Sequence, residues 1–119
     1  MIKSVEDMTI FKEAYQLSLK VHKLSLNFPK YEQYSLADQL RRSSKSIVAN
    51  LCEGFAKQVY SKAEFRRYVQ VSIGSCDETK MWLMYSKDLE YINSEQYAYL
   101  RSSYDVLVKQ FVALYFNIK

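Results

Sequence analysis

The chain has 119 residues, of which 49% are hydrophobic and 25% charged, a balance that suits one packed domain over 1–119 and excludes a disordered chain. Only two glycines and one proline occur, which excludes an all-β domain with many tight turns and points to a few long helices briefly joined. The net charge of +4 and pI of about 9.0 lean mildly toward anionic partners. No stretch approaches the ~20 apolar residues of a membrane span. No leader-like run precedes the two cysteines, so a cytoplasmic protein with reduced thiols and no membrane partner is expected.

Four helical segments are predicted in chain order. In the first, about Asp7 to Asn27, Ile10, Ala14, Leu17, Val21, Leu24 and Phe28 alternate steps of four and three, which keeps one seam against a partner helix. Phe11, Tyr15, Leu19 and Leu26 widen that stripe, and Pro29 ends it. The second, about Tyr34 to Lys57, sets Leu36, Leu40, Ile47, Leu51 and Phe55 among small residues, with Gly54 placed as a C-terminal cap. The third opens on the capping box Ser61-Lys62-Ala63-Glu64 and continues to about Asp88 through Phe65, Val69, Ile73, Cys76 and Leu83. Its small patch, Ser72, Gly74, Ser75 and Cys76, is expected to pack closely on the small face of the second helix. The fourth takes Ser94 as N-cap and runs through Tyr97, Leu100, Tyr104, Leu107, Phe111, Leu114 and Ile118. Short connections make successive helices antiparallel neighbours. The expected fold is all-α, an antiparallel up-down-up-down four-helix bundle.

Catalytic and metal chemistry find little support. His22 is the sole histidine, with no companion ligand at metal spacing, and reads as a surface or boundary residue. Cys52 and Cys76 fall about 15 Å apart along neighbouring helices, too far for a disulfide. Glu53, Glu64, Asp77 and Glu78 lack the Glu-x-x-His pairs of a di-iron bundle. No phosphate loop or nucleophile elbow occurs. No metal, no cofactor and no enzymatic activity are expected.

Basic residues form two groups. Arg41, Arg42 and Lys45 lie in the middle of the second helix; Lys57, Lys62, Arg66 and Arg67 surround the turn between the second and third. Together they could neutralise several phosphates, or they could be a solvated face partly offset by Asp38, Glu53 and Glu64. The eleven tyrosines suit a bundle core or a protein interface, and they could also stack on bases.

The run Leu40-Arg41-Arg42-Ser43-Ser44-Lys45-Ser46-Ile47-Val48-Ala49-Asn50-Leu51-Cys52-Glu53-Gly54 resembles the L-R-R-A-A-V-S-I-P-A-N-I-A-E-G signature of the four-helix bundle proteins encoded in intervening sequences of 23S rRNA genes. Ile10-Phe11-Lys12-Glu13-Ala14, Asn27-Phe28-Pro29-Lys30, Ser61-Lys62-Ala63-Glu64-Phe65 and Ile73-Gly74-Ser75 extend the likeness along nearly the whole chain. The resemblance implies a ring-like homo-oligomer, commonly a pentamer. It also implies kinship to the accessory protein of diversity-generating retroelements, which binds a reverse transcriptase and nucleic acid. Three departures stand out. Val48 replaces a proline and weakens the kink expected there. Lys45 replaces an apolar residue. Glu90 replaces a glycine that often caps the third helix, so a different cap is expected.

Three rival readings of function follow, the third only as an alternative to the non-enzymatic expectation. The first is a homo-oligomeric scaffold that contacts RNA or DNA without sequence preference, or a nucleic-acid enzyme, through the basic hairpin. The second is a protein-only assembly module. The third is an enzyme with a pocket between subunits.

Overall fold

The computed structural model describes residues 3–119; Met1 and Ile2 lie outside the described residues. Four helices follow in order, α1 Thr9–Ser25, α2 Leu36–Lys57, α3 Lys62–Asp88 and α4 Ser94–Asn117, with single 3-10 turns at Val5–Asp7 and Lys30–Glu32. No strand occurs among the described residues, and the fold is the all-α bundle that periodicity predicts. The α1–α2 and α3–α4 connections meet at one end. There the Phe28 and Tyr91 rings lie 5.4 Å apart, and the Tyr91 hydroxyl donates to Glu32 Oε2 at 2.8 Å. At the other end Arg66 donates to the Ile118 carbonyl at 3.1 Å, tying the start of α3 to the end of α4. The bundle measures 44 × 24 × 20 Å.

The predicted seams form the core. Ile10, Ala14, Leu17, Val21 and Phe28 meet Leu36, Leu40, Ile47 and Leu51 from α2, Phe65, Val69, Cys76 and Leu83 from α3, and Leu100, Tyr104, Leu107 and Phe111 from α4. Each large side chain removed from water in this way contributes roughly 1.5–3 kcal/mol. The Tyr104 hydroxyl is buried with no hydrogen-bond partner among the described residues.

Hydroxyls line the contact between α2 and α3. Ser72 donates across the interface to the Ile47 carbonyl at 2.9 Å, Thr79 donates to Ser43 Oγ at 2.9 Å, and the Ser46 and Ser75 hydroxyls meet at 2.9 Å. Ser43 and Ser44 turn back onto carbonyls of their own helix. Small side chains thus let two backbones approach while every polar atom named here keeps a partner.

Neither glycine plays the role expected of it. Gly54 is buried inside α2 and caps nothing: a Cβ there would lie 2.7 Å from Tyr68 Cβ and 3.1 Å from Phe65 Cδ1. Gly74 is exposed, with nothing within 4 Å of a Cβ. The α2–α3 contact runs through Ser72, Ser75 and Thr79, leaving Gly74 on the outer face.

Helix ends bring three corrections of detail. At α3, Ser61 Oγ accepts from the Glu64 N–H at 3.1 Å, but the Glu64 carboxylate turns to Arg67, so half of the box forms. At α4 the N-cap is Asn93 rather than Ser94. Its side chain accepts from Gln96 N at 2.7 Å while Gln96 Oε1 accepts from Asn93 N at 2.9 Å. Asparagine caps as well as serine, and only register 93 lets Gln96 reciprocate. At the end of α3, Tyr91 N donates to Ser86 O and Glu90 N to Lys87 O, a Schellman cap with Glu90 at φ 65°. The glycine-type cap is retained despite the glutamate.

Candidate functional site

The seven basic residues of the hairpin separate by position. Arg41, Arg42 and Lys45 stand in the first half of α2; Lys57 stands at its end, and Lys62, Arg66 and Arg67 in the first turns of α3. Helical rise puts about 18 Å along the axis between Lys45 and Lys57, so these are two surfaces.

On the first surface Arg41 is a structural strap. Its guanidinium donates to Ser25 Oγ at 2.8 Å, to Gln33 Oε1 at 3.2 Å and to the Gln33 carbonyl at 2.7 Å. The Gln33 amide in turn donates to the Ser25 and Phe28 carbonyls. Gln33 thus satisfies carbonyls where α1 ends, and the planar Arg41 fork holds Gln33 in place. Arg42 is exposed and 3.9 Å from Asp38. Lys45 reaches across to α1, where its ammonium lies 2.9 Å from His22 Nδ1.

On the second surface Arg66 holds the C-terminal segment through Ile118. Arg67 is paired with Glu64 at 2.9 Å and lies over the Tyr68 ring, 4.6 Å from its centroid. That pairing holds the Glu64 carboxyl below its usual range. Lys57 and Lys62 are exposed and form no ion pair among the described residues, although the Lys57 ammonium lies 5.8 Å from the Tyr68 centroid. Between them the turn presents Val59, 80% exposed, and Tyr60, 89% exposed. The tip is thus an apolar point flanked by two unpaired lysines.

The family profile described as 23S rRNA-intervening sequence protein matches residues 6–113. The chain belongs to that family. The match spans all four helices and both basic surfaces of this family member. A solved relative, described as a protein with unknown function from the S23 ribosomal protein family of Bacteroides thetaiotaomicron VPI-5482, superposes with a TM-score of 0.80 at 22% identity, covering 89% of this chain and 94% of that one. At that identity it supports the fold alone. No curated protein matches the sequence.

No group of three or more metal-ligating side chains converges among the described residues. Cys76 is buried, and burial pushes its thiol up to about 12; Cys52 is half-buried with its thiol raised for the same reason. Both stay protonated and unreactive at neutral pH. No helix among the described residues is long and apolar enough to cross a membrane.

Three side-chain arrangements had no signal in the sequence, because each joins residues far apart in the chain. One is the contact of Lys20 with the Tyr99 hydroxyl, at the edge of an open groove between α1 and α4 of roughly 480 Å³. Another is the Lys45–His22 pair. The third is Lys80, which bridges Asp77 at 3.2 Å and Asp105 at 3.0 Å and so links α3 to α4.

Proposed function

We propose that this protein is a non-enzymatic homo-oligomeric scaffold that holds nucleic acid, or an enzyme acting on nucleic acid, against the tip of its α2–α3 hairpin. The observation that carries the assembly part is apolar surface on helices whose opposite faces already form the core. Phe116 is 74% exposed and Val106 51% on α4. Met81, Met84 and Tyr85 stand out from α3, and Tyr15 and Leu19 from α1. Apolar faces of this kind mark contact surfaces in small soluble domains. The family resemblance favours a ring, commonly of five.

A ring would repeat the Lys57–Lys62 tip around its rim, and repeated weak phosphate contacts act together on one polyanion. Tyr60 adds a stacking surface indifferent to base identity, so the reading is of sequence-independent contact with RNA or DNA. A kinship to the accessory protein of diversity-generating retroelements, which is part of this proposal, would make a nucleic-acid enzyme the larger partner.

Two measurements test this. Light scattering should give a mass several times the 14.1 kDa of one chain; a monomer at micromolar concentration overturns the scaffold. Titration with unrelated RNA and DNA oligonucleotides should show binding that falls steeply as salt rises and weakens when Lys57 and Lys62 become glutamate. A second reading, protein-only assembly, is favoured by the intramolecular partners of Arg41, Arg66 and Arg67. An oligomer that binds neither oligonucleotide at low salt decides for it.

A further inference from the structure

Lys45 and His22 meet on the α1–α2 face, remote from the hairpin tip. An ammonium has no lone pair, so Lys45 Nζ must be the donor in its 2.9 Å contact with His22 Nδ1. Nδ1 is therefore bare, the imidazole is neutral, and its proton sits on Nε2.

The surrounding charge is one-sided. Lys45 forms no ion pair among the described residues. From α2, Arg41 and Lys45 act on the ring, and both lower its affinity for a proton; burial contributes most to that lowering, and no carboxylate from any element offsets it. On α1 the residues one turn away are Ser18, Leu19, Ser25 and Leu26, none of them titratable. Arg41 is fixed by Ser25 and Gln33, so its charge cannot swing away. A lysine that donates to a neutral histidine beside a second, immobile cation is an arrangement short of one negative charge.

We propose that Lys45, His22 and Arg41 form an oxyanion site that takes a phosphate group, with Lys45 Nζ and the newly protonated Nδ1–H of His22 as donors and Arg41 supplying fixed charge. The phosphate replaces the Lys45–His22 bond with two charge-assisted bonds, and His22 takes up a proton as the anion arrives. For a diester, whose charge is fixed over this range, binding therefore strengthens as the pH falls; a monoester's own protonation at about pH 6 works against that trend. The site is independent of the tip proposed above: loss of oligonucleotide binding at Lys57 and Lys62 leaves it standing.

The experiment uses the whole chain, in which His22 is the sole histidine and its ring protons need no assignment. The His22 titration midpoint is followed by NMR from about pH 5 to 8 in sodium chloride, in inorganic phosphate and in dimethyl phosphate, all at one ionic strength. Phosphate should raise the midpoint by about half a unit or more, which corresponds to about threefold tighter binding to the protonated form. Lys45→Met should abolish that rise and Lys45→Arg should retain it. A rise with dimethyl phosphate as well assigns the site to backbone diesters; a rise with inorganic phosphate alone assigns it to free or terminal phosphate. No rise with either ligand overturns the proposal, as does a rise that survives undiminished in Lys45→Met.

Discussion

Gly54 and Gly74 look alike in the sequence, each in a helical run and each beside small residues, yet their surroundings are opposite. A Cβ on Gly54 would press on Tyr68 Cβ at 2.7 Å, an atom next to the backbone that can move only if α3 moves. Gly54→Ala should therefore destabilise the protein by roughly 1–3 kcal/mol. Gly74 meets nothing, so Gly74→Ala should stabilise by about 0.5–1 kcal/mol through helix propensity. Denaturant unfolding of the two variants should thus move in opposite directions. Leucine at position 74 would point away from the α2–α3 contact and should not overpack it. At Ser75, buried and in contact with Ser46, the same substitution still should cost roughly 1–3 kcal/mol. The sequence marked a small-residue contact but could not phase it to the residue, because one helical step is about 100° and Ser72 and Gly74 of the same patch therefore point about 160° apart.

At the scale of elements, the seams were legible because periodicity is enforced by burial. Ile10, Ala14, Leu17 and Val21, like Leu100, Tyr104, Leu107 and Phe111, all reach the core. Caps were less legible, since Asn93 and Ser94 are nearly equal candidates and only the reach of Gln96 separates them. At the end of α3, Glu90 is held at φ 65°, a conformation that disfavours any side chain. Glu90→Gly should stabilise by roughly 0.5–1 kcal/mol, read as a higher melting temperature. Arg41 was legible as a charge and illegible as a strap, because its partners Ser25 and Gln33 lie outside α2. Arg41→Met keeps the stem but frees the Gln33 carbonyl and Ser25 hydroxyl. The loss of charge-assisted bonds should destabilise by roughly 1.5–3 kcal/mol. If Arg41 instead stood free to meet a polyanion, melting of this variant would match the parent.

For the whole molecule, charge and pH tie these contacts together. The carboxyls of Glu32, Glu64 and Asp105 are held below their usual range, Glu32 by hydrogen bonds from Ser35 and Tyr91, Glu64 by Arg67, and Asp105 by Lys80. Their contribution is complete above the unfolded carboxyl range and is lost as the pH falls through the lower folded values. His22 acts in a different window. Burial, Lys45 and Arg41 hold its folded value below the ordinary 6.5. Above 6.5 the ring is neutral in both the folded and unfolded chain and contributes nothing to pH dependence. Below it the unfolded chain takes a proton that the folded chain refuses, so stability falls with pH until the folded ring also titrates. Melting temperature measured in phosphate-free buffer should therefore decline in two steps, one beginning near 6.5 and a second in the carboxyl range. His22→Gln should remove the first step and leave the second. A variant that keeps the first step would assign it to groups other than His22 and end the account of Lys45 and Arg41 acting on that ring.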